Sequence, residues 1–422
     1  MADAAAPFLA TADRIGARLC RDAIWAGGRC NWLGWSMEFR RGQWAPATRA
    51  MGALLYDGTA GIGLFLARLA ALTGDAITRA TARGALAQAL SRADALADAG
   101  EYGLYAGVAG IAHACMAAAV PLNDATLAVQ GERLLRRAAG IAPHPQRLDV
   151  VNGSAGLIPL LITAAGPHRD AALAAAVTHA EQLLARADRS PEGWSWDTLG
   201  ANGARNLVGY SHGTAGIACA LGELARAVGR PDFLHGAREA LRYERHFFLP
   251  TQGNWPDFRD FGVSDPPRDP PCMLAWCHGA PGIGIGRLRL LDVLPDEPGL
   301  RAEVDIAIAT TAAALDLPLV EATGNFSLCH GHGGNCDLLL LAADRLDRPE
   351  LRRHAEQAGA AAIARFEQPN QPWPCGVPGA GETPNLMLGL AGIGYFYLRL
   401  HDSRTVPSVL SIAPGAEAAP AA

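Results

Sequence analysis

Charged side chains are scarce in this chain. Lys, Arg, Asp and Glu together make up 18% of its 422 residues, against 50% hydrophobic residues. With so little charge to keep it in water, much of the chain has to be buried, and its length is ample for a large core. The charge that is present nearly cancels: 36 Lys and Arg against 41 Asp and Glu leave −5. That balance excludes nucleic acid or an anionic membrane surface as the main partner and leaves a peptide or a small molecule. Long apolar runs are missing too. None reaches the roughly 18 residues of a membrane span. The start of the chain has an early acid, Asp3, and no basic stretch ahead of an apolar one, so no signal peptide is expected. Nine cysteines, odd in number and scattered, make no disulfide framework. A reducing cytoplasm fits such thiols and keeps them available to a metal.

Strand signals are also sparse, and short β-like stretches such as residues 148–151 lie beside turns. Ala-rich runs at 82–99 and 171–187 favour helix instead. What organises the chain is a repeat. A Gly-x-x-Gly turn followed by an apolar helical run begins at Gly58, Gly107, Gly153, Gly213, Gly279 and Gly389, with a degenerate copy at Gly331. The seven copies are 46 to 66 residues apart, room for two helices and their loops. Glycine suits a helix start that is tightly packed or needs positive φ, and the amides of such a start point at whatever sits there. The expected architecture is all-α: paired helices closing into an α/α toroid of about seven hairpins, with the glycine turns at the inner helix starts. One domain is expected over residues 8–402, interrupted by Pro-rich loops at 142–146, 250–271 and 368–384. An Ala/Pro-rich, disordered tail is expected over 403–422, and fraying over about residues 1–7.

Two of the turns carry metal-binding residue types. Ala275-Trp276-Cys277-His278-Gly279 and Leu328-Cys329-His330-Gly331 place a cysteine, or a Cys-His pair, directly before the glycines, 52 residues apart. Two thiolates and an imidazole are enough for a zinc site with one position open, and an open position makes a reaction centre rather than a clamp. The remaining cysteines read differently. Cys336 is expected in the core, Cys20, Cys30, Cys115 and Cys219 in helix packing, and Cys272 and Cys375 in Pro-rich loops.

Trp32-Leu33-Gly34, Leu55-Tyr56-Asp57-Gly58 with Phe65-Leu66-Ala67, Ser211-His212-Gly213-Thr214-Ala215-Gly216 and Trp276-Cys277-His278-Gly279-Ala280-Pro281-Gly282 complete a pattern. In these motifs the chain resembles the lanthionine synthetase C-like cyclases, over about residues 15–400. It is most similar to the C-terminal cyclase domain of class II, bifunctional lanthipeptide synthetases. The resemblance implies an α/α toroid with a central zinc ion. It also implies addition of peptide cysteine thiols to dehydroalanine or dehydrobutyrine, giving lanthionine or methyllanthionine rings. The implied partner is a dehydrated precursor peptide. Class II enzymes carry a dehydratase domain before the cyclase, whereas here Met1 leads almost directly into cyclase-like sequence. A stand-alone cyclase or a piece of a longer enzyme is therefore expected, with a separate or fused dehydratase. Monomer is the state the resemblance implies.

Cys277, Cys329 and His330 match the family's zinc-ligand positions. His212 matches a functional histidine, suited to protonating the Cα of the enolate that the addition creates. Asp149 matches an acidic position that could orient His212, accept the thiol proton or support its own turn. For the enolate oxygen an arginine is suited; Arg259 and Arg245 are candidates, since the position four before Cys277, arginine in some relatives, is Met273 here. His278, Tyr56 and Arg259 are expected to contact substrate; His332 and Asp57 are open between site and turn. Competing readings are a zinc thiol-alkylating enzyme similar to protein prenyltransferase β subunits, an enzyme adding glutathione to dehydrated residues, a non-catalytic peptide-binding scaffold, and a toroidal glycosidase using Asp149 and Asp57. A glycosidase has no use for thiolate ligands.

Overall fold

Helices dominate, and most of them come in pairs. In a computed structural model of the protein, residues 5–40, 43–200, 205–259, 270–316 and 324–412 are described. The helices are α1 (Ala6–Asp22), α2 (Thr59–Thr73), α3 (Ala76–Asp98), α4 (Val108–Leu122), α5 (Ala125–Ala139), α6 (Ser154–Ile162), α7 (Arg169–Ala185), α8 (Thr214–Val228), α9 (Pro231–His246), α10 (Ala280–Leu290), α11 (Leu300–Leu315), α12 (His332–Leu346), α13 (Pro349–Phe366) and α14 (Leu390–His401). Helices α2 and α3, α6 and α7, α8 and α9, and α12 and α13 pack as hairpins, and α1 packs on α14, so the two ends of the chain form a pair as well. In the α1–α14 pair it is α14 that begins at a glycine turn; in each of the four hairpins the first member does so and is buried all round, as in α2, where Thr59 through Ala67 are all covered. The second is amphipathic. Helix α9 buries Phe233, Gly236, Ala237, Ala240, Leu241 and Glu244, the spacing of one helical face.

The reason for glycine at the helix starts is close backbone approach. The capping glycines of α2, α4, α6, α8, α12 and α14 are in extended backbone, and among the seven only Gly279 has positive φ, at 89°. A Cβ on Gly392 would collide with the carbonyl oxygen of Leu386, and one on Gly61 with that of Leu55. Each blocking carbonyl lies six residues back, because the loop curls under its own helix. The same curl satisfies the first orphan amide of these helices: Thr59 donates to the Gly52 carbonyl (2.9 Å), Thr214 to Leu207 (3.0 Å) and Leu390 to Thr383 (2.8 Å). What sits at these helix starts, for these amides, is therefore the carbonyl of their own loop. Gly392→Ala is expected to destabilise the protein by about 3–5 kcal/mol, whereas Gly52→Ala, with open space at its Cβ, should stay within about 0.5 kcal/mol; denaturant unfolding measures both.

The chain divides into two units, one of Met1–Glu101, Tyr105–Arg137 and Leu315–Leu410, the other of Tyr102–Leu104, Ala138–Ala314 and Ser411–Ala422. The first has an aromatic cluster of Phe326, Trp373, Phe396 and Tyr397. It also holds hairpins that the sequence reading did not expect: β1 (Ile24–Ala26) with β2 (Arg29–Asn31), and β3 (Leu33–Arg40) with β4 (Gln43–Ala50). Cys30 is accordingly buried from a strand, not a helix. Residues 403–410 are packed. Val406, Val409 and Leu410 are buried, and Arg399 binds both Asp337 and the Val406 carbonyl (2.6 Å). Residues 413–422 of the expected tail and 1–4 of the expected fraying end lie outside the described residues.

The second unit contains a third small hairpin, β5 (Asp188–Ser190) with β6 (Gly193–Ser195). Its core buries ion pairs on α10. Arg287 meets Glu244 (2.8 Å) and Glu303 (2.6 Å), and Arg289 meets Glu223 (2.5 Å) and the Tyr210 hydroxyl (2.7 Å). Burial pushes the Glu244 carboxyl up to about 7, with Arg287 opposing it.

Candidate metal centre

Successive glycine turns are tied together through one equivalent position, two residues before the first glycine. In the first unit the Tyr56 amide donates to the Tyr105 carbonyl (3.0 Å), Met387 to Tyr56 (2.9 Å) and Cys329 to Met387 (3.0 Å). In the second unit Ser211 donates to Cys277 (3.2 Å). Cys277 and Cys329 thus hold the same place in their respective turns, and both are buried.

In the first unit, His330 is fixed by its far nitrogen. Nε2 lies 2.9 Å from the Gly376 carbonyl, and a Cβ at Gly376 would press on that nitrogen. As donor to a carbonyl, Nε2 leaves the Nδ1 lone pair for a metal, the usual way a ligand imidazole is oriented. Tyr56 is held in the linked turns by its backbone, and Asp57 pairs with Arg49 at 2.7 Å. His332 starts α12, buried against the Phe326 ring, and burial lowers its proton affinity.

In the second unit, polar side chains form a row beside Cys277. Asp149 is buried and uses both oxygens: Oδ1 takes the Asn152 amide of its own turn (2.9 Å) and Oδ2 takes His212 Nδ1 (2.6 Å). The sequence reading left turn support and orientation of His212 as alternatives; the carboxylate makes both contacts. The His212 ring, 30% exposed, faces His278 at 6.1 Å between centroids. Burial lowers the proton affinity of His212, but the Asp149 hydrogen bond and charge outweigh it, so the net shift is upward. His278 is buried with Nδ1 3.6 Å from Asp257. Asp257 in turn grips Arg259, at 3.0 Å to Nε and 2.6 Å to Nη2, and Nη2 also lies 2.9 Å from Met273 Sδ. Arg245 is tied to Glu297 and Glu303 instead. A polar cavity of about 1090 Å³ in this unit is lined by Leu148, Asp188, Asp197, Arg205 and Tyr243, among others.

The side-chain ligand atoms of Cys277, Cys329 and His330 all lie within 4.8 Å of one another. Tetrahedral zinc ligands at roughly 2.0–2.3 Å from the ion stand about 3.5–3.8 Å apart, so the group fits such an ion with slight contraction, and its two sulfurs and one nitrogen suit zinc over harder cations. All nine cysteines are free thiols. Burial pushes Cys272 up to about 11 and Cys375 to about 12, and neither belongs to the group.

A family model described as "Lanthionine synthetase C-like protein" matches residues 49–411. The chain belongs to that family. It is 26% identical over 197 residues to the lacticin 481/lactococcin biosynthesis protein LcnDR2 of Lactococcus lactis subsp. lactis. That match covers 46% of this chain and only 20% of the relative, so the chain spans about a fifth of the relative's length. Among solved structures it is similar to nisin cyclase, with a TM-score of 0.65 and 18% identity over 85% of this chain and 91% of that one. The fold of this family member is the α/α toroid that its glycine repeat pointed to. Among the described residues, no helix is long and apolar enough to cross a membrane.

The sequence reading missed Asp257. It lies 20 residues before Cys277 in a Pro-rich loop, and no spacing marks it. Its one signal is the Asp257-Phe258-Arg259 alternation, which places acid and base on the same side of an extended segment.

Proposed function

We propose that the protein is a zinc-dependent lanthipeptide cyclase. The observation that carries this reading is the convergence of Cys277, Cys329 and His330 in a member of the lanthionine synthetase C-like family. These three would hold the ion. What zinc supplies when bound is a coordinated peptide thiolate, deprotonated at neutral pH where a free thiol, with a pKa near 8.5, is mostly protonated. The substrate is a dehydrated precursor peptide, delivered by a dehydratase that is separate or fused. A cytoplasmic setting fits nine free thiols.

The chain's own residues account for the rest. The cysteine sulfur bonds to Cβ of a dehydroalanine or dehydrobutyrine, and the π pair moves onto the carbonyl oxygen as an enolate. Asp149 holds Nδ1 of His212, so the acidic proton at Nε2 faces outward and passes to Cα. Arg259 is the cation for the enolate oxygen. The proton that the thiol loses is returned through solvent to His212, so the thiol and the alkene become one thioether at unchanged mass. The test is incubation with a dehydrated, cysteine-containing peptide, with and without the protein. Loss of free thiol at constant mass, well above the rate without protein, is expected. A thiol that persists, or a mass gain equal to an added small thiol, overturns the reading.

A further inference from the structure

The loop at 254–259 is stitched to the loop that carries Cys277. Asn254 Oδ1 accepts from the Trp255 amide (2.8 Å) and the Ala280 amide (2.7 Å), and its Nδ2 donates to the Met273 carbonyl (3.0 Å). The Asp257 amide donates to the Pro271 carbonyl at 2.7 Å. The backbone between Trp255 and Arg259 is therefore fixed in register with the turn at Cys277. On that fixed loop the Asp257 side chain is wholly buried, while the Arg259 side chain is 31% exposed. A buried carboxylate needs partners, and Asp257 has three from Arg259: Nε, Nη2 and the backbone amide at 3.1 Å. Burial alone would raise the Asp257 carboxyl; the Arg259 hydrogen bonds reverse this, and the acid stays ionised.

We propose that Asp257 is a positioning residue. Its carboxylate grips Arg259 with two prongs and stands beside His278, so that a pre-oriented guanidinium is presented to the oxyanion formed on the substrate. The inference rests on the cyclase reading above. Two observations favour it over a purely structural ion pair. The carboxylate is in the interior and the cation is at the accessible end, so the pair presents positive charge outward. The carboxylate that grips Arg259 also lies 3.6 Å from His278 Nδ1, and the His278 ring faces that of His212 at 6.1 Å between centroids. The cation and the acid are thus linked through His278. A flexible arginine would have to be ordered at each turnover; a gripped one is ordered beforehand, which is what oxyanion stabilisation requires. Arg259 and not lysine is required, because only a guanidinium offers the fork that matches a carboxylate.

Three variants of the full chain test this: Asp257→Asn, Arg259→Ala and the double variant, each assayed on the dehydrated peptide and for zinc content. Asp257→Asn is expected to lower kcat by about 100-fold, the order seen for one oxyanion donor, with KM within about threefold and zinc unchanged. Because Asp257 acts through Arg259, the double variant should be no slower than Arg259→Ala alone. Asp257→Glu, which keeps the charge and moves it by one methylene, should hold zinc and lose about tenfold. Losses that multiply in the double variant, or a kcat for Asp257→Asn within twofold of wild type, overturn the proposal. A second readout needs no turnover. In protein labelled with 15N-arginine, the Arg259 Nε–H signal, assigned by its disappearance in Arg259→Lys, should exchange slowly with water and be lost in Asp257→Asn. A signal that exchanges fast in the wild type overturns the grip whatever the activity. A wild type that leaves the peptide uncyclised overturns the cyclase reading, and with it the oxyanion role, while the NMR result still decides the grip.

Discussion

Cys329→Ala is expected to abolish zinc binding and reduce cyclisation to the rate of the peptide alone. Cys329 is one of two sulfurs in the candidate ligand group, and neither Cys272 nor Cys375 belongs to that group. Removing a direct ligand costs more than the roughly 10–100-fold in affinity that loss of an outer partner costs. Cys329→Ser should fare little better, since a hydroxyl is a poor match for a soft thiolate position. Cys336 supplies the control. It lies seven residues on, fully buried in α12, where burial pushes its thiol far above the ordinary range. Cys336→Ala should keep about one zinc per chain and cost stability of about 1–2 kcal/mol. Metal analysis of the three purified proteins decides this. The metal should also leave as pH falls, because every ligand has to lose its proton to bind.

The second large effect is at His212. His212→Ala should keep zinc and lose about 100- to 10,000-fold in kcat, the range for removal of a positioned general acid. Asp149→Asn should have a narrower effect with a distinctive pH signature. Burial lowers the proton affinity of His212 and Asp149 more than restores it, so in the wild type the acidic form persists to higher pH than in a free histidine. Activity that needs that form falls as pH rises through the raised value. Without the carboxylate the falling limb moves to lower pH. Stability follows the same sign. A histidine raised in the folded state adds stability that is fully present below its unfolded value, about 6.5, and is lost as pH rises through the folded value. NMR titration of the ring and a pH–rate profile measure the shift. An unmoved limb in Asp149→Asn would remove the carboxylate from the mechanism.

The repeat was legible in the sequence, and with it the positions of the candidate ligands. Cys277 and Cys329 stand two residues before the first glycine of their turns, and turns that recur in sequence recur in space. His212 and Asp149, one and four residues before the first glycines of their turns, were candidates from the same repeat. The physics of the glycines was legible in part: tight packing at these helix starts was expected, but not that the blocking atom is a carbonyl of the same loop. Positive φ occurs at the start of the turn at Gly279, while Gly61 and Gly392 are glycines because a carbonyl six residues back leaves no room for a Cβ. The β3–β4 hairpin was hidden because its exposed face carries Leu33, Phe39 and Trp44, which blurs the alternation of polar and apolar residues that marks a half-buried strand. The packed stretch at 403–410 was hidden because Ala- and Pro-rich composition says nothing of Arg399, whose buried guanidinium reaches the Val406 carbonyl. Asp257 was hidden because its partners, Arg259 and His278, are brought to it by a loop and not by a periodic element.

X-ray absorption at the zinc edge of the purified protein tests the central claim most directly. Two sulfurs near 2.3 Å and one nitrogen near 2.0 Å are expected, with a lighter fourth ligand that gives way to a third sulfur when a cysteine-containing dehydrated peptide is added. A shell without sulfur, or a sulfur count that the peptide leaves unchanged, would contradict a thiol-activating centre built from Cys277, Cys329 and His330.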